Sequence, residues 1–158
     1  MNRKLSDFRE LENYSNEHLH TLEIYDHEKL TTLNISLLTN IKTLILTICD
    51  LSEIESVRCL VNIEELTICG NKISSIEPIR NLGKLRQLDV SGNALFNPKE
   101  LLILADFKQL DTADLSDNPF CNRVPNELKY SIMRRNQSIK RFYVTDVDRK
   151  LVGCLVED

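Results

Sequence analysis

Glycine is scarce in this sequence. Its four copies are scattered singly over 158 positions, so a loop that wraps its backbone around a phosphate has no material to form from. No stretch approaches the ~18 consecutive apolar residues that a membrane-crossing helix requires, and no membrane partner is expected. The opening MNRKLSDFRELENY has no apolar run behind its basic residues, which reads as a protein without a signal segment. The five cysteines, Cys49, Cys59, Cys69, Cys121 and Cys154, are odd in number and do not form the paired clusters that staple secreted domains. Reduced thiols are therefore expected, in a cytoplasmic or nuclear protein, not a secreted one. Neither a G-x-S-x-G elbow nor an H-E-x-x-H helix is present. The expectation is a chain that is not an enzyme, with no cofactor, no metal and no catalytic residues.

What the chain does have is self-similarity. In IEELTICGNKISSIEPIRNLGK, residues 63–84, apolar residues fall at Ile63, Leu66, Ile68 and Ile73, with Asn71 before the last, and then at Ile76, Ile79 and Leu82. The first group is spaced as a short strand with its turn, and the last three lie about one helical turn apart. Leu19, Ile41, Ile63, Leu85 and Leu110 start successive copies, in steps of 22, 22, 22 and 25 residues. The paired core positions of the strands are then Leu22 and Ile24, Leu44 and Leu46, Leu66 and Ile68, Leu88 and Val90, and Ala113 and Leu115. Alternation along a strand sends the intervening side chains to the other face. The turn position holds Cys49, Asn71, Asn93 and Asn118, and asparagine suits it because its amide can bond neighbouring backbone groups. A unit this short cannot bury its own apolar face, so the copies must stack.

Stacking leaves two apolar ends to cover. Residues 5–17 read as an amphipathic lid, with Asp7 and Glu10 as a capping box and Leu5, Phe8, Leu11 and Tyr14 about one turn apart. In the first repeat, His27 takes the turn position and Leu30, Leu33, Leu37 and Leu38 fall out of step. The fourth repeat is three residues longer, and Pro98 followed by ELLILADF predicts a helical turn or two on its convex side. After Asn118 the pattern gives way to a second lid. It comprises prolines at 119 and 125, a helix with Leu128 and Ile132 inward, and a closing strand with Ile139, Phe142 and Val144 as core. The expected organisation is one domain over 1–158: a capping helix over 1–18, repeats over 19–117, a C-terminal cap over 118–145 and a tail over 146–158.

The 22-residue unit, with I-x-x-I-x-x-I/L-x-x-L on its convex side, resembles the leucine-rich repeats named for the regulatory subunit of protein phosphatase 1. The ending Asn118-Pro119-Phe120, then a helix, then NQSIKRFYV, is similar to the cap that closes such repeats in intracellular proteins. That cap is shared by the phosphatase regulator, the leucine-rich dynein light chain and the A-prime protein of a spliceosomal ribonucleoprotein. The cap here carries Asn136-Gln137-Ser138-Ile139 where the family usually has Leu-Pro-x-Leu, and Phe142-Tyr143 where it often has Leu-Asp. The resemblance covers residues 19–145. It implies an α/β, right-handed leucine-rich repeat solenoid of about five repeats with a parallel concave sheet. It also implies a protein-binding module, an adaptor or a regulatory subunit; a monomer is expected because both ends of the array are capped. A phosphatase catalytic subunit would be its partner in the first reading, and an RNA-recognition-motif protein together with RNA in the spliceosomal alternative.

The register names the side chains that face away from the core. One column is Thr21, Thr43, Glu65, Gln87, Thr112 and Arg141; the next is Glu23, Ile45, Thr67, Asp89, Asp114 and Tyr143; the third is Tyr25, Thr47, Cys69, Ser91, Ser116 and Thr145. Six strands at ~4.8 Å spacing make a face roughly 24 Å long, which matches about 16 residues of a partner helix. Carboxylates outnumber Arg141 there, so direct phosphate binding is not expected on this face and a basic protein surface is the better complement. Glu23, Tyr25, Ile45, Glu65, Thr67, Asp89, Asp114 and Tyr143 form the candidate protein-binding set, with Tyr25, Ile45 and Tyr143 as its anchors. Cys69 is expected to be exposed on the same face.

The charge is unevenly divided behind this pattern. The net formal charge is −4, made of −7 over residues 1–120 and +3 over 121–158. Arg123, Lys129, Arg134, Arg135, Lys140 and Arg141 make the cap a second candidate contact, for RNA phosphate or an acidic protein. Arg134 and Arg135 also suit the negative end of the helix dipole. His18, His20 and His27 lie near acidic residues, but strand alternation separates neighbours too well for a metal site.

Overall fold

A computed structural model describes residues 18–26 and 34–144 of the chain. The expected lid helix over 5–17, the convex side of the first repeat over 27–33 and the tail from 145 onward lie outside these described residues.

Six strands form one parallel sheet in the order of the sequence. They are β1 (Thr21–Tyr25), β2 (Thr43–Thr47), β3 (Glu65–Thr67), β4 (Gln87–Asp89), β5 (Thr112–Asp114) and β6 (Arg141–Tyr143). A parallel neighbour can be reached only by a crossover, and with 22 residues per coil there is little room for a multi-turn α-helix. The return segments are instead tight 3-10 turns at Glu55–Cys59, Glu77–Ile79 and Pro98–Asp106. The last is the longest because its coil carries three extra residues, and the Asn97 side chain caps it by accepting from the Lys99 N–H at 3.1 Å. It meets the helical expectation for the fourth repeat in 3-10 form.

The core is a set of stacked columns running the length of the solenoid. Leu44, Leu66, Leu88 and Ala113 fill one strand column and Leu46, Ile68, Val90 and Leu115 the next, none more than 1% exposed. Behind them lie the convex columns, such as Leu60, Leu82 and Phe107, and Leu51, Ile73, Leu95 and Phe120. Each coil thus completes its neighbour's interior, as the repeat argument requires.

Polar groups at the turns are satisfied between coils. The Asn71 side chain accepts from the N–H groups of Cys49 and Leu51 at 3.0 and 3.1 Å and donates to the carbonyls of Leu46 and Cys69 at 2.8 and 3.1 Å. Asn93 accepts from Ile73 N–H and donates back to Ile68 O; Asn118 accepts from Leu95 N–H and donates back to Val90 O. The sequence reading anticipated bonds to neighbouring backbone groups. Those exist, but the longer reach, 20–28 residues back into the preceding coil, ties the coils together. At the equivalent position, the Cys49 thiol donates to Thr47 O at 3.3 Å and more weakly to Ile24 O at 3.6 Å.

The cap closes the other end. Helix α1 (Asn126–Arg135) packs against the 98–106 turn, with Ile132 fully buried and Leu128 half-buried against the core. Asn136, only 4% exposed, donates to the carbonyls of Leu104 and Phe107 at 2.6 Å each, and its oxygen accepts from Ser138. The chain then enters β6 with Ile139, Phe142 and Val144 buried, as the pattern predicted.

Candidate functional site

The first two concave columns follow the sequence register residue for residue. Backbone pairing runs Thr21, Thr43, Glu65, Gln87, Thr112, Arg141 in one column and Glu23, Ile45, Thr67, Asp89, Asp114, Tyr143 in the next; Tyr25 pairs with Thr47. Glu23, Tyr25 and Glu65 are exposed, while Ile45, Thr67, Asp89, Asp114 and Tyr143 are half-buried by their lateral neighbours. All eight candidate residues therefore share one surface, each about one strand spacing, ~4.8 Å, from its neighbours in the same column.

Local bonds fix several of these groups. The Tyr25 hydroxyl donates to Glu23 Oε2 at 3.1 Å, and this bond to a carboxylate holds the phenol above its ordinary pKa, with slight desolvation and the Glu23 charge acting in the same direction. Thr43 Oγ1 lies 3.5 Å from Glu65 Oε2, at the limit of a hydrogen bond. Asp89 Oδ1 accepts from both the N–H and the hydroxyl of Ser91, at 2.9 and 2.7 Å, and Asp114 Oδ1 accepts in the same way from Ser116 at 3.0 and 2.7 Å.

Those two turns correct the third column. Ser91 and Ser116 were expected on the open face, yet they are 8% and 0% exposed. The strands end at Asp89 and Asp114, period-two alternation ends with them, and each serine folds back under its aspartate. Cys69, expected to be exposed, is half-buried, its thiol 3.5 Å from Thr47 Oγ1. Thr145 lies outside the described residues.

The six basic cap residues are spread over three elements. Arg123 sits on the Cys121–Arg123 turn, Lys129, Arg134 and Arg135 on α1, and Lys140 and Arg141 at β6. Arg135 lies 3.5 Å from Asp106 and Lys140 lies 3.7 Å from Asp111, so the repeats supply acidic partners to two of them. Arg141 belongs to the first concave column and is the one cation among the described residues of the two columns.

Two features escaped the sequence reading. Asn136 was visible only as a departure from the usual cap. Ile48 stands where the other coils have Asp26, Gly70, Gly92 and Asp117, and its φ is +55 with its side chain exposed. Lining up the residue after each strand would have exposed that exception. Among the described residues no group of three or more His, Cys, Asp or Glu side chains is arranged to hold a metal ion, and no helix is long and apolar enough to cross a membrane. Among the described residues, Cys49, Cys59, Cys69 and Cys121 form no disulfide with one another.

Solved structures share this architecture. An internalin (inlF) from Listeria monocytogenes str. 4b F2365 matches with a TM-score of 0.55 and 20% sequence identity, over 87% of this chain and 50% of that one. An internalin C2 (inlC2) from the same organism matches with a TM-score of 0.53 and 26% identity, over 68% of this chain and 58% of that one. The chain thus spans 50–58% of the length of these internalins, which are leucine-rich repeat proteins, and the fold it shares with them is the leucine-rich repeat solenoid. No family model matches the sequence, and no curated protein matches it.

Proposed function

We propose that this solenoid is a non-enzymatic interaction module, an adaptor or regulatory subunit that holds a partner protein on its concave face. The observation that carries the reading is the pair of unbroken side-chain columns across six strands, which set Ile45 and Tyr143 among Glu23, Glu65, Asp89 and Asp114, with Tyr25 beside them at the end of β1. Aromatic and aliphatic anchors framed by charge are the ingredients of a protein interface. The excess of carboxylates disfavours nucleic-acid phosphate and favours a basic protein surface. The resemblance of the 22-residue unit to phosphatase-regulator repeats supports the finer reading, a regulatory subunit whose partner is a catalytic subunit.

The test is affinity capture of the tagged chain from its own cells, with and without nuclease, beside a Tyr25→Ala/Asp114→Arg variant. One protein retained by the native chain and lost from the variant is the expected result. Capture that survives the variant but is lost with nuclease overturns the concave-face reading and moves the basic cap to first place.

A further inference from the structure

The turn after each strand imposes one unusual backbone conformation on five successive coils. Asp26, Ile48, Gly70, Gly92 and Asp117 share this repeat position, with φ of 52°, 55°, 65°, 63° and 57°. The first four donate their N–H to a carbonyl of the following coil, at 2.9–3.1 Å, so the left-handed turn is set by the sheet and not by the residue that occupies it. Glycine adopts it without cost, and aspartate tolerates it. A β-branched residue does neither, and Ile48 is a true outlier.

The strained side chain is also the wrong kind for its surroundings. Ile48 is 56% exposed. Its Cγ1 lies 3.2 Å from where a side chain on Gly70 would begin, so it leans over the bare backbone of the next coil. Tyr25, 55% exposed, is paired with Thr47, the residue before Ile48. Two large side chains, Tyr25 at the end of β1 and Ile48 just after the paired end of β2, are thus exposed on adjacent coils at the first-coil end of the acidic columns. Folding gains little from an isoleucine held this way, and a strained residue with no folding benefit points to a role outside folding.

We propose that Ile48 and Tyr25 are the apolar anchor for a cationic segment of a partner protein. One apolar residue of that segment packs on this pair, and its lysines or arginines lie along Glu23, Glu65 and Asp89. The choice of a cationic occupant rests on charge complementarity: the two columns hold four carboxylates against the single cation Arg141. The proposal rests on the concave-face reading above and deepens it.

The test selects a displayed library of random 16-residue peptides against the intact chain and maps the enriched peptides by NMR. Binding is then measured for the native chain and for Ile48→Gly and Ile48→Asn, whose residues accept the left-handed turn and whose melting temperatures are expected to stay within a few degrees of native. The expected result is enriched peptides in which lysine or arginine flanks an apolar residue, shifts centred on Ile48, Tyr25 and Glu65, and affinity at least tenfold weaker for both variants. Peptides that map to the concave face but bind both variants as tightly as native overturn the anchor and leave the face standing. Peptides that map elsewhere, or a library that yields none on this face, overturn both.

Discussion

Replacing Asn71 by alanine tests whether the coils are held together by polar rungs as well as by apolar columns. The substitution removes four hydrogen bonds of 2.8–3.1 Å from a side chain that is 8% exposed. Each such bond is worth ~1 kcal/mol net, and a buried group left without a partner costs ~1–3 kcal/mol. The site opens slightly to solvent and water can recover part of the loss, so the expected destabilisation is about 2–4 kcal/mol. That corresponds to a fall in melting temperature of roughly 5–15 °C for a domain of this size. Urea unfolding followed by far-UV circular dichroism measures it, with the m-value showing whether unfolding stays cooperative. Asn71→Cys serves as the internal comparison, because Cys49 shows that a thiol at this repeat position can donate to backbone carbonyls; it should lose less than alanine does. A loss below about 1 kcal/mol with unchanged m-value, or equal losses for alanine and cysteine, would refute the rung argument.

Other substitutions probe the cap, the surface and the titrating phenol. Asn136→Ala removes the two 2.6 Å bonds to Leu104 and Phe107 and should cost about 2–3 kcal/mol. Hydrogen exchange should quicken first in α1 and β6; uniform acceleration along the chain would show that the cap is not a separate latch. Lys42→Ala breaks the 3.2 Å pair with Glu64, whose side chains are 57% and 36% exposed, and should change stability by no more than about 0.5 kcal/mol, as read from the same urea curves. Tyr25 should titrate above the ordinary phenol value of 10.0, and Glu23→Gln should bring it back toward that value, since the bond to Glu23 is the first cause of the shift. Because the folded pKa is the higher one, the bond's contribution is complete below the ordinary pKa and is lost as pH rises through the folded value. Tyrosinate absorbance of the native and Glu23→Gln chains reads this directly, and identical curves would remove the bond as the cause.

The sequence carried the register because the repeat is nearly invariant in length: once Leu66 and Ile68 are assigned inward, Glu65 and Thr67 must face out, and steps of 22 residues, then one of 25, extend the assignment through the repeats. What it could not carry were departures from alternation. Ser91 and Ser116 continue the period-two count on paper, but the preceding aspartates capture their hydroxyls, and the strand stops short. Ile48 hides in the sequence because an isoleucine after a strand looks like one more core residue. Only its backbone conformation shows that the side chain is turned into water. Asn136 read as a missing leucine, whereas its amide does the docking by hydrogen bonds to two carbonyls. The cap's basic residues were countable but not their partners, since Asp106 and Asp111 come from coils 29 residues distant in sequence.

The direction in which the turn asparagines reach sets an order on the birth of the molecule. Each one emerges from the ribosome after the coil whose amides and carbonyls it serves: Asn71 completes Leu46 and Leu51, Asn93 completes Ile68 and Ile73, and Asn118 completes Val90 and Leu95. A coil just synthesised therefore holds unpaired polar groups until its successor appears, and no coil can settle on its own. The wait ends only in the cap, where Asn136 closes onto the carbonyls of Leu104 and Phe107 and β6 then answers the last repeat, up to the Tyr143 carbonyl that accepts from Leu115 N–H. A chain interrupted before that point would carry its open end as exposed apolar columns together with unanswered backbone groups, the combination that cellular quality control is built to notice.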